Sequence, residues 1–312
     1  MQQELVIGTR GSPLALAQAR AVQAALLAAH PSLAPDAVRL EVFTTRGDRI
    51  LDRPLADIGG KGLFTEELEA AMRAGAIQCA VHSTKDMPTA LADDLMLAAF
   101  LPREDPRDAL IAPMAKSLAE LPKGAVVGTS SLRREAQLMR LRPDLRIVGL
   151  RGNIGTRMAK IEAGAMDAAL LAYAGLKRLG FTDRPEITPI AVDIILPAPA
   201  QGAIAIECRR DDSHMRALLA PINDDRTALA IMAERAFLAG LAGDCRTPIA
   251  ALAVHEGGEI VLEGRLLTPD GRLCLVEKGR AAAADAEALG RDLAARIAAS
   301  PDSGYALRIM GR

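Results

Sequence analysis

Aromatic residues make up only 2% of this 312-residue chain. Proteins that stack nucleobases need such rings and a basic balance. The net charge is −1, so nucleic acid is not expected as a partner. No run of about 18 apolar residues occurs, and no membrane span or membrane partner is expected. The opening residues, MQQELVIG, lack a basic n-region and an apolar h-region, so they do not read as a secretory signal. The four cysteines, Cys79, Cys208, Cys245 and Cys274, form no Cys-x-x-Cys pair. Reduced thiols in a cytoplasmic protein are the simpler expectation. His30, His82, His214 and His255 show no metal-ligand spacing, so no metal site is expected. Phosphate loops are missing too. ADIGGKGLF, around Lys61, has Gly62 where Ser or Thr should follow the lysine, and its first glycine is absent.

What is present is an ordinary globular composition, 50% hydrophobic and 25% charged, long enough for two or three domains. Apolar strands alternate with helical patterns. Strands are expected at 4–9, 38–44, 79–83 and 95–101. Helices are expected from the Ser12 cap and Pro13 to about Ala29, and at 64–74. This βαβα order predicts a parallel α/β sheet. LPREDPRDALIAP reads as a hinge near Pro102–Pro106, after which the pattern restarts. Strands follow at 126–129, 146–150 and 168–172, with helices at 131–141 and 153–164. LPAPAQGAIAIECR is a second proline-rich crossing that leads into a strand at 203–208. After a helix at 224–239 the pattern becomes a meander at 249–255, 259–267 and 272–279, turned by Asp-Gly, with a closing helix at 285–299. The expected division is domain 1 (1–101 and 200–219), domain 2 (106–196) and an α+β domain 3 (223–312). VIGTRGSPLAL and VVGTSSLRREA echo one another as strand, Gly-Thr, polar turn and helix.

Four turns carry the polar chemistry. TRGS offers Arg10 and Ser12. VHSTKDMP offers Ser83, Lys85 and Asp86. TSSLRRE offers Thr129, Ser131, Arg133 and Arg134, and LRGNIGTR offers Arg151 and Arg157. From Ser130 to Lys160 there are eight basic and two acidic residues, an excess of six in a nearly neutral chain. Such loops predict a polyanionic ligand, with carboxylates gripped bidentately by arginine. The stretch 46–62 reads equally as a surface loop or a lid. Cys79, Cys208 and Cys274 lie on apolar strands as packing residues, and His82 as a satisfied core histidine. Cys245 differs. It sits in the polar turn LAGDCRTPIAA, where it could be a nucleophile or a covalent tether, with Arg246 favouring its thiolate and Asp244 opposing it.

Together these motifs resemble the porphobilinogen deaminase (hydroxymethylbilane synthase) family. IGTRGSPLALAQA, GGKGLFTEELE, AVHSTKDMP, GTSSLRREAQL, LRGNIGTR, AGLKRLG, PAPAQGAIAIECR and GDCRTPIAA occur in the family's order over nearly the whole chain. The resemblance implies two domains like type II periplasmic binding proteins plus a smaller α+β third domain. It implies a cytoplasmic, monomeric transferase of porphyrin, tetrapyrrole and heme biosynthesis. Its substrate would be porphobilinogen, four units of which are added head to tail with loss of ammonia. Water then releases hydroxymethylbilane. Cys245 matches the family cysteine that carries a dipyrromethane cofactor through a thioether. By motif, Ser83, Lys85, Thr129, Ser131, Arg133, Arg134 and Arg157 would bind the cofactor. Arg10, Ser12, Arg151 and Arg178 would bind substrate, and Lys61 belongs to the lid.

Asp86 matches the catalytic aspartate. A carboxylate about 4 Å from a developing pyrrole cation gives roughly 4 kcal/mol at an effective dielectric of 20, about a thousandfold in rate. A salt bridge to Lys85 is the alternative use of Asp86. Many family members carry lysine in place of Asp57 and glycine in place of Asp244. A non-enzymatic two-domain polycarboxylate-binding protein is the second reading. A thiol-dependent acyl transferase is the third, and it lacks a histidine motif near Cys245.

Overall fold

The computed structural model describes residues 4–49, 62–243 and 247–304. The chain forms two compact units, Met1–Glu104 with Ala203–Ala228 and Asp105–Gly202 with Leu229–Arg312. The boundaries at Glu104 and Gly202 fall within the proline-rich crossings expected from the sequence, and a third, at Ala228, falls within the helix Asp225–Gly240.

The first unit holds a five-stranded sheet of β1 (Leu5–Arg10), β2 (Val38–Phe43), β3 (Cys79–Ser83), β4 (Leu95–Phe100) and β10 (Ile204–Arg209). Their order is β2-β1-β3-β10-β4. β1 runs parallel to β2 and β3, and β10 is antiparallel to both β3 and β4. The sheet is thus mixed, which corrects the all-parallel expectation. Its fourth place is taken by a strand that enters from the second crossing and so runs the other way. Alternation along β1 buries both faces. Ile7 packs with Ala19, Val22 and Leu26 of α1 (Pro13–Ala29), while Val6 packs with Leu68 and Met72 of the helix Glu66–Arg73. Ser12 caps α1 by accepting from the Ala15 N–H at 3.2 Å, and Pro13 occupies the first turn, as expected.

The second unit repeats this plan. Its strands are β5 (Asp108–Ile111), β6 (Val126–Gly128), β7 (Arg146–Val148), β8 (Ala168–Ala172) and β9 (Ile187–Pro189), in the order β7-β6-β8-β5-β9. β6 is parallel to β7 and β8, and β5 is antiparallel to β8 and β9. The echo therefore has a structural basis: β1 and β6 hold the same place in equivalent sheets. Gly8 and Gly128 match as well. A Cβ at Gly8 would strike Ile77 and Leu68, and one at Gly128 would strike Met166 and Leu150. β5 and β9 were not expected. β5 has four residues and opens on a charge beside the hinge prolines, and β9 is a three-residue edge strand ending in Pro189.

Three further strands form the antiparallel meander β11 (Ile249–Glu256), β12 (Glu259–Leu267) and β13 (Cys274–Ala282). Gly271 turns β12 into β13 with φ 70°. The meander shares a core with the helices Asp225–Gly240 and Ala286–Ala299, centred on the fully buried Phe237. Gly264 leaves space for that ring, because a Cβ there would strike it. The second crossing is held in place by polar contacts. Ala200, at φ 65°, donates its N–H to Glu234 at 2.6 Å, and the same carboxylate accepts from the Ala253 N–H at 2.7 Å. Among the described residues no helix is long and apolar enough to cross a membrane, and no group of His, Cys, Asp and Glu could hold a metal ion.

The helices Asp225–Gly240 and Ala286–Ala299 meet at Gly290, where a Cβ would strike the Ala233 carbonyl oxygen and lie 2.9 Å from the Phe237 nitrogen. These are backbone atoms, which cannot rotate away. Gly290→Val is therefore expected to cost about 1–3 kcal/mol by overpacking. Urea unfolding would show a lowered midpoint with an unchanged slope; an unchanged midpoint would contradict the close approach.

Candidate functional site

Each parallel strand releases its polar loop at the carboxyl edge of its sheet, where open α/β sheets collect ligands. In the first unit β1 ends at Arg10, and Ser12 follows as the cap of α1. β3 ends at Ser83, and the 3-10 turn Thr84–Asp86 follows. Since β1 and β3 are parallel, these loops leave the sheet on one side. They meet in a pocket of about 70 Å³ lined by Arg10, Ser12, Ser83 and Asp86, with Gln18, Phe64, Thr65 and His82. Four residues singled out from the sequence thus share one cavity. Asp86 is exposed, and Lys85 sits beside it on the same turn.

Arg10 is fixed on two sides. Its guanidinium pairs with Asp48, through Nη2 and through Nε at 3.2 Å, and lies 4.0 Å over the Phe64 ring centre. Asp48 also accepts from the Thr45 hydroxyl at 2.7 Å. Burial opposes its ionisation, but the hydrogen bonds from Arg10 and Thr45 outweigh that and hold its carboxyl below the ordinary value. Ser83 exchanges hydrogen bonds with Gln18, at 2.9 and 3.0 Å. His82 Nε2 lies 3.1 Å from Glu207 Oε2, so it is a partnered histidine, as expected, and it also lines the pocket. Asp48, Phe64, Gln18 and Glu207 were all missed. Gln18 alone had a signal, as a polar residue on the face of α1 that carries Ala15 and Val22.

In the second unit the loops after β6, β7 and β8 leave another parallel set. Thr129 and Ser131 bridge β6 to the helix Leu132–Leu141. Ser131 caps it by accepting from the Arg134 N–H at 3.5 Å, and Thr129 accepts from the Ser131 N–H at 3.2 Å. Arg151 follows β7, and Arg157 lies on the helix Ile154–Glu162, with its Nε donating to the Gly152 carbonyl at 2.7 Å. Arg178 ends the helix Tyr173–Arg178 after β8 and donates to the Gly202 carbonyl at 2.7 Å.

Arg133 and Arg134 are buried rather than exposed. Both pair with Asp108, each at 2.7 Å. Gln201 Nε2 adds a third contact to Asp108 at 2.9 Å. Burial opposes the Asp108 charge, yet the two guanidinium groups outweigh it and hold the carboxyl well below the usual carboxylate range. One carboxylate cannot neutralise two guanidinium groups, so a positive charge is left over. Arg133 Nε is buried with no hydrogen-bond partner among the described residues.

Such a donor set fits carboxylates. The Ser12, Thr129 and Ser131 oxygens act as acceptors in their caps, which leaves each O–H proton for another acceptor. Helix N-termini add positive potential at Ser12 and Ser131. A dipyrromethane, which bears several carboxylates, matches this chemistry. Cys79 and Cys208 are buried on their strands, as expected, whereas Cys274 is only half-buried on β13. Burial raises the Cys79 thiol and pushes Cys208 up to about 11, so both are unreactive. Cys245, Asp244, Asp57 and Lys61 lie outside the described residues.

Sheet edges, caps and cation-rich loops define an α/β protein whose loops offer donors suited to carboxylates, with the exposed carboxylate of Asp86 in one pocket. Residues 5–217 match the family model described as porphobilinogen deaminase, dipyromethane cofactor binding domain. Residues 228–299 match the porphobilinogen deaminase C-terminal domain. The porphobilinogen deaminase of Nitrobacter hamburgensis is 52% identical over 93% of this chain and 92% of its own length. That of Nitrobacter winogradskyi is 53% identical over 92% and 90%. The chain belongs to the porphobilinogen deaminase family. Among solved structures, a putative periplasmic sulfonate-binding protein from Methylobacillus flagellatus covers 74% of this chain and 66% of its own, at 16% identity and a TM-score of 0.39.

Asp108→Asn removes the one anion from a buried cluster of two cations. It is expected to cost about 3–5 kcal/mol, because the arginines stay buried without their partner. The wild-type folded carboxyl titrates below its unfolded value. Its contribution is therefore full above the unfolded value, near pH 4, and is lost as pH falls through the folded value. Urea midpoints measured from pH 7 down to pH 2 should fall for the wild type below about pH 4. The variant should start lower and lack that component; equal stability at pH 7 would show that the cluster contributes little.

Proposed function

We propose that the chain condenses four porphobilinogen units head to tail, with loss of ammonia, onto a dipyrromethane primer held on Cys245 by a thioether, and then releases hydroxymethylbilane by hydrolysis. The observation that carries this reading is the pocket in which Arg10, Ser12, Ser83 and Asp86 converge in a chain of this family. A simple polycarboxylate binder has no use for an exposed carboxylate among anion-binding groups, nor for a tethering cysteine.

The dipyrromethane, when bound, supplies the pyrrole rings to which substrate is joined. Its carboxylates are assigned to Thr129, Ser131, Arg133, Arg134 and Arg157 of the second unit, and to Ser83 and Lys85 of the first. Substrate carboxylates are assigned to Arg10 and Ser12, and to Arg151 and Arg178. Arg10 arrives pre-oriented, because Asp48 and Phe64 remove its rotamer freedom before substrate binds. Asp86 stabilises the positive charge that spreads to the pyrrole N–H as the substrate amine departs. A fixed carboxylate lowers that barrier because it opposes charge present only in the transition state. Lys61 is assigned to a lid over the site. We further assign the chain to the cytoplasm, as a monomer without nucleic-acid or membrane partners, in the heme branch of tetrapyrrole synthesis. Its division is taken as three domains, 1–101 with 200–219, 106–196 and 223–312. That division is supported by separate hydrophobic cores for the two five-stranded sheets and the meander.

Intact mass under denaturing conditions should show an addition of two linked pyrroles in active protein, mapping to the Cys245 peptide. Cys245→Ala should fold, lack the adduct and be inactive; an unmodified mass in active wild type would overturn the tether. Asp86→Asn keeps shape but not charge. Its turnover is expected to fall about a hundredfold or more while KM changes little. Near-normal turnover in a cofactor-loaded variant would show that Asp86 only braces its turn.

A further inference from the structure

The pocket that holds Asp86 and Arg10 is also lined by His82, which is 5% exposed. Its partner, Glu207, stands beside it on the antiparallel strand β10 and is 0% exposed. The imidazole Nε2 lies 3.1 Å from Glu207 Oε2, while Glu207 Oε1 is buried with no hydrogen-bond partner among the described residues. A carboxylate stripped of water and left uncompensated is a costly arrangement. An imidazole set against such a carboxylate is placed to take up a proton, because the carboxylate opposes the charge the ring would gain. Nothing in the packing of the sheet needs such a pair; Leu or Val at both positions would fill a strand interior without a desolvation cost.

We infer that His82, backed by Glu207, is the proton-transfer residue of this pocket: it takes the proton released when each new pyrrole–pyrrole bond is completed. This inference rests on the porphobilinogen-condensing reading above. The steps balance without an oxidant or reductant. The substrate enters as an ammonium. Its C–N bond breaks with the electron pair on nitrogen, ammonia leaves, and the pyrrole nitrogen feeds electrons toward the methylene carbon. The free α-carbon of the neighbouring pyrrole then forms the C–C bond. That carbon must lose its hydrogen to restore aromaticity. The C–H electrons return to the ring, the proton passes to the His82–Glu207 couple, and from there it goes to the departing ammonia, which becomes ammonium. Asp86 and His82 thus divide the work, one opposing the ring cation and the other accepting a carbon-bound proton. Glu207 opposes the charge that His82 gains on taking the proton, so the transfer does not move an ion into water.

His82→Gln and Glu207→Gln, each purified with cofactor attached as checked by intact mass, separate the roles. Substrate carrying deuterium at its free α-carbon is compared with ordinary substrate. Both variants are expected to lose about a hundredfold in turnover with KM little changed, as for removal of a general base. The isotope effect on turnover should rise above that of the wild type, because loss of the carbon-bound proton becomes the slow step. Denaturing mass spectra after a substrate pulse should show elongated covalent complexes accumulating more slowly than in wild type. If turnover falls with no change in isotope effect, the couple is structural and the inference fails. Native turnover in either folded variant overturns it as well. Should His82→Gln not fold, the isotope effect in Glu207→Gln decides alone. Failure of the wild type to consume porphobilinogen would instead remove the underlying reading.

Discussion

The buried carboxylate of Asp108 organises the second unit. It lies at the start of a four-residue strand and accepts from Arg133, Arg134 and the Gln201 side chain. The two arginines belong to the first turn of the helix that Ser131 caps, so that turn is held to the sheet by charge as well as by packing. Gln201 belongs to the second crossing and also donates to the Pro106 carbonyl at 2.8 Å, in the first. One anion therefore joins the helix N-terminus, the outgoing segment and the returning segment. Such a cluster adds little net stability over a well-packed apolar core, because desolvation takes back most of the Coulombic gain. What it secures is position, and it does so while leaving positive charge uncompensated near the loops that carry the other cations.

The two sheets show why those cations gather. A strand, Gly-Thr, a polar turn with a capping serine and then a helix occurs after Val6 and again after Val126. In both places the glycine admits side chains from the next layer, so the turn can sit tightly on the sheet edge. Both helices then direct their N-termini at that edge. The same local solution, used in two equivalent sheets, produces two anion-receptive edges from one pattern. Asp86 is distinctive because it is an exposed carboxylate on such an edge.

Legibility followed the range of the interactions. The Ser12 and Ser131 caps, the strands at Cys79–Ser83 and Ala168–Ala172, the meander and the Asp-Gly turn all rest on local chemistry, and all were readable. β5 and β9 were not, since short strands owe their existence to neighbours distant in sequence. The antiparallel strand in each sheet was hidden for the same reason: strand direction depends on where the chain re-enters. At the site, the loop residues could be found because their types and spacing are unusual. Their partners could not. Asp48 meets Arg10 across 38 positions, and Glu207 meets His82 across 125. Arg133 and Arg134 were assigned to a ligand from the motif alone, and their shared partner Asp108 shows that they also serve the fold.

This double service separates the arginines by what they can give a ligand. Arg10 and Arg134 are committed to carboxylates of the protein through more than one nitrogen. Under the proposed assignment, an incoming carboxylate meets a guanidinium whose orientation is already set and whose charge is already partly neutralised. Binding is then weaker per contact but precise in direction, which suits a site that must take several similar rings in turn and let the product go. A ligand clamp of unpaired arginines would hold each carboxylate more tightly in the ground state and gain nothing in the transition state. The proposed roles, moderated cations for holding and Asp86 for the charge that appears only during reaction, follow from the same electrostatic reasoning.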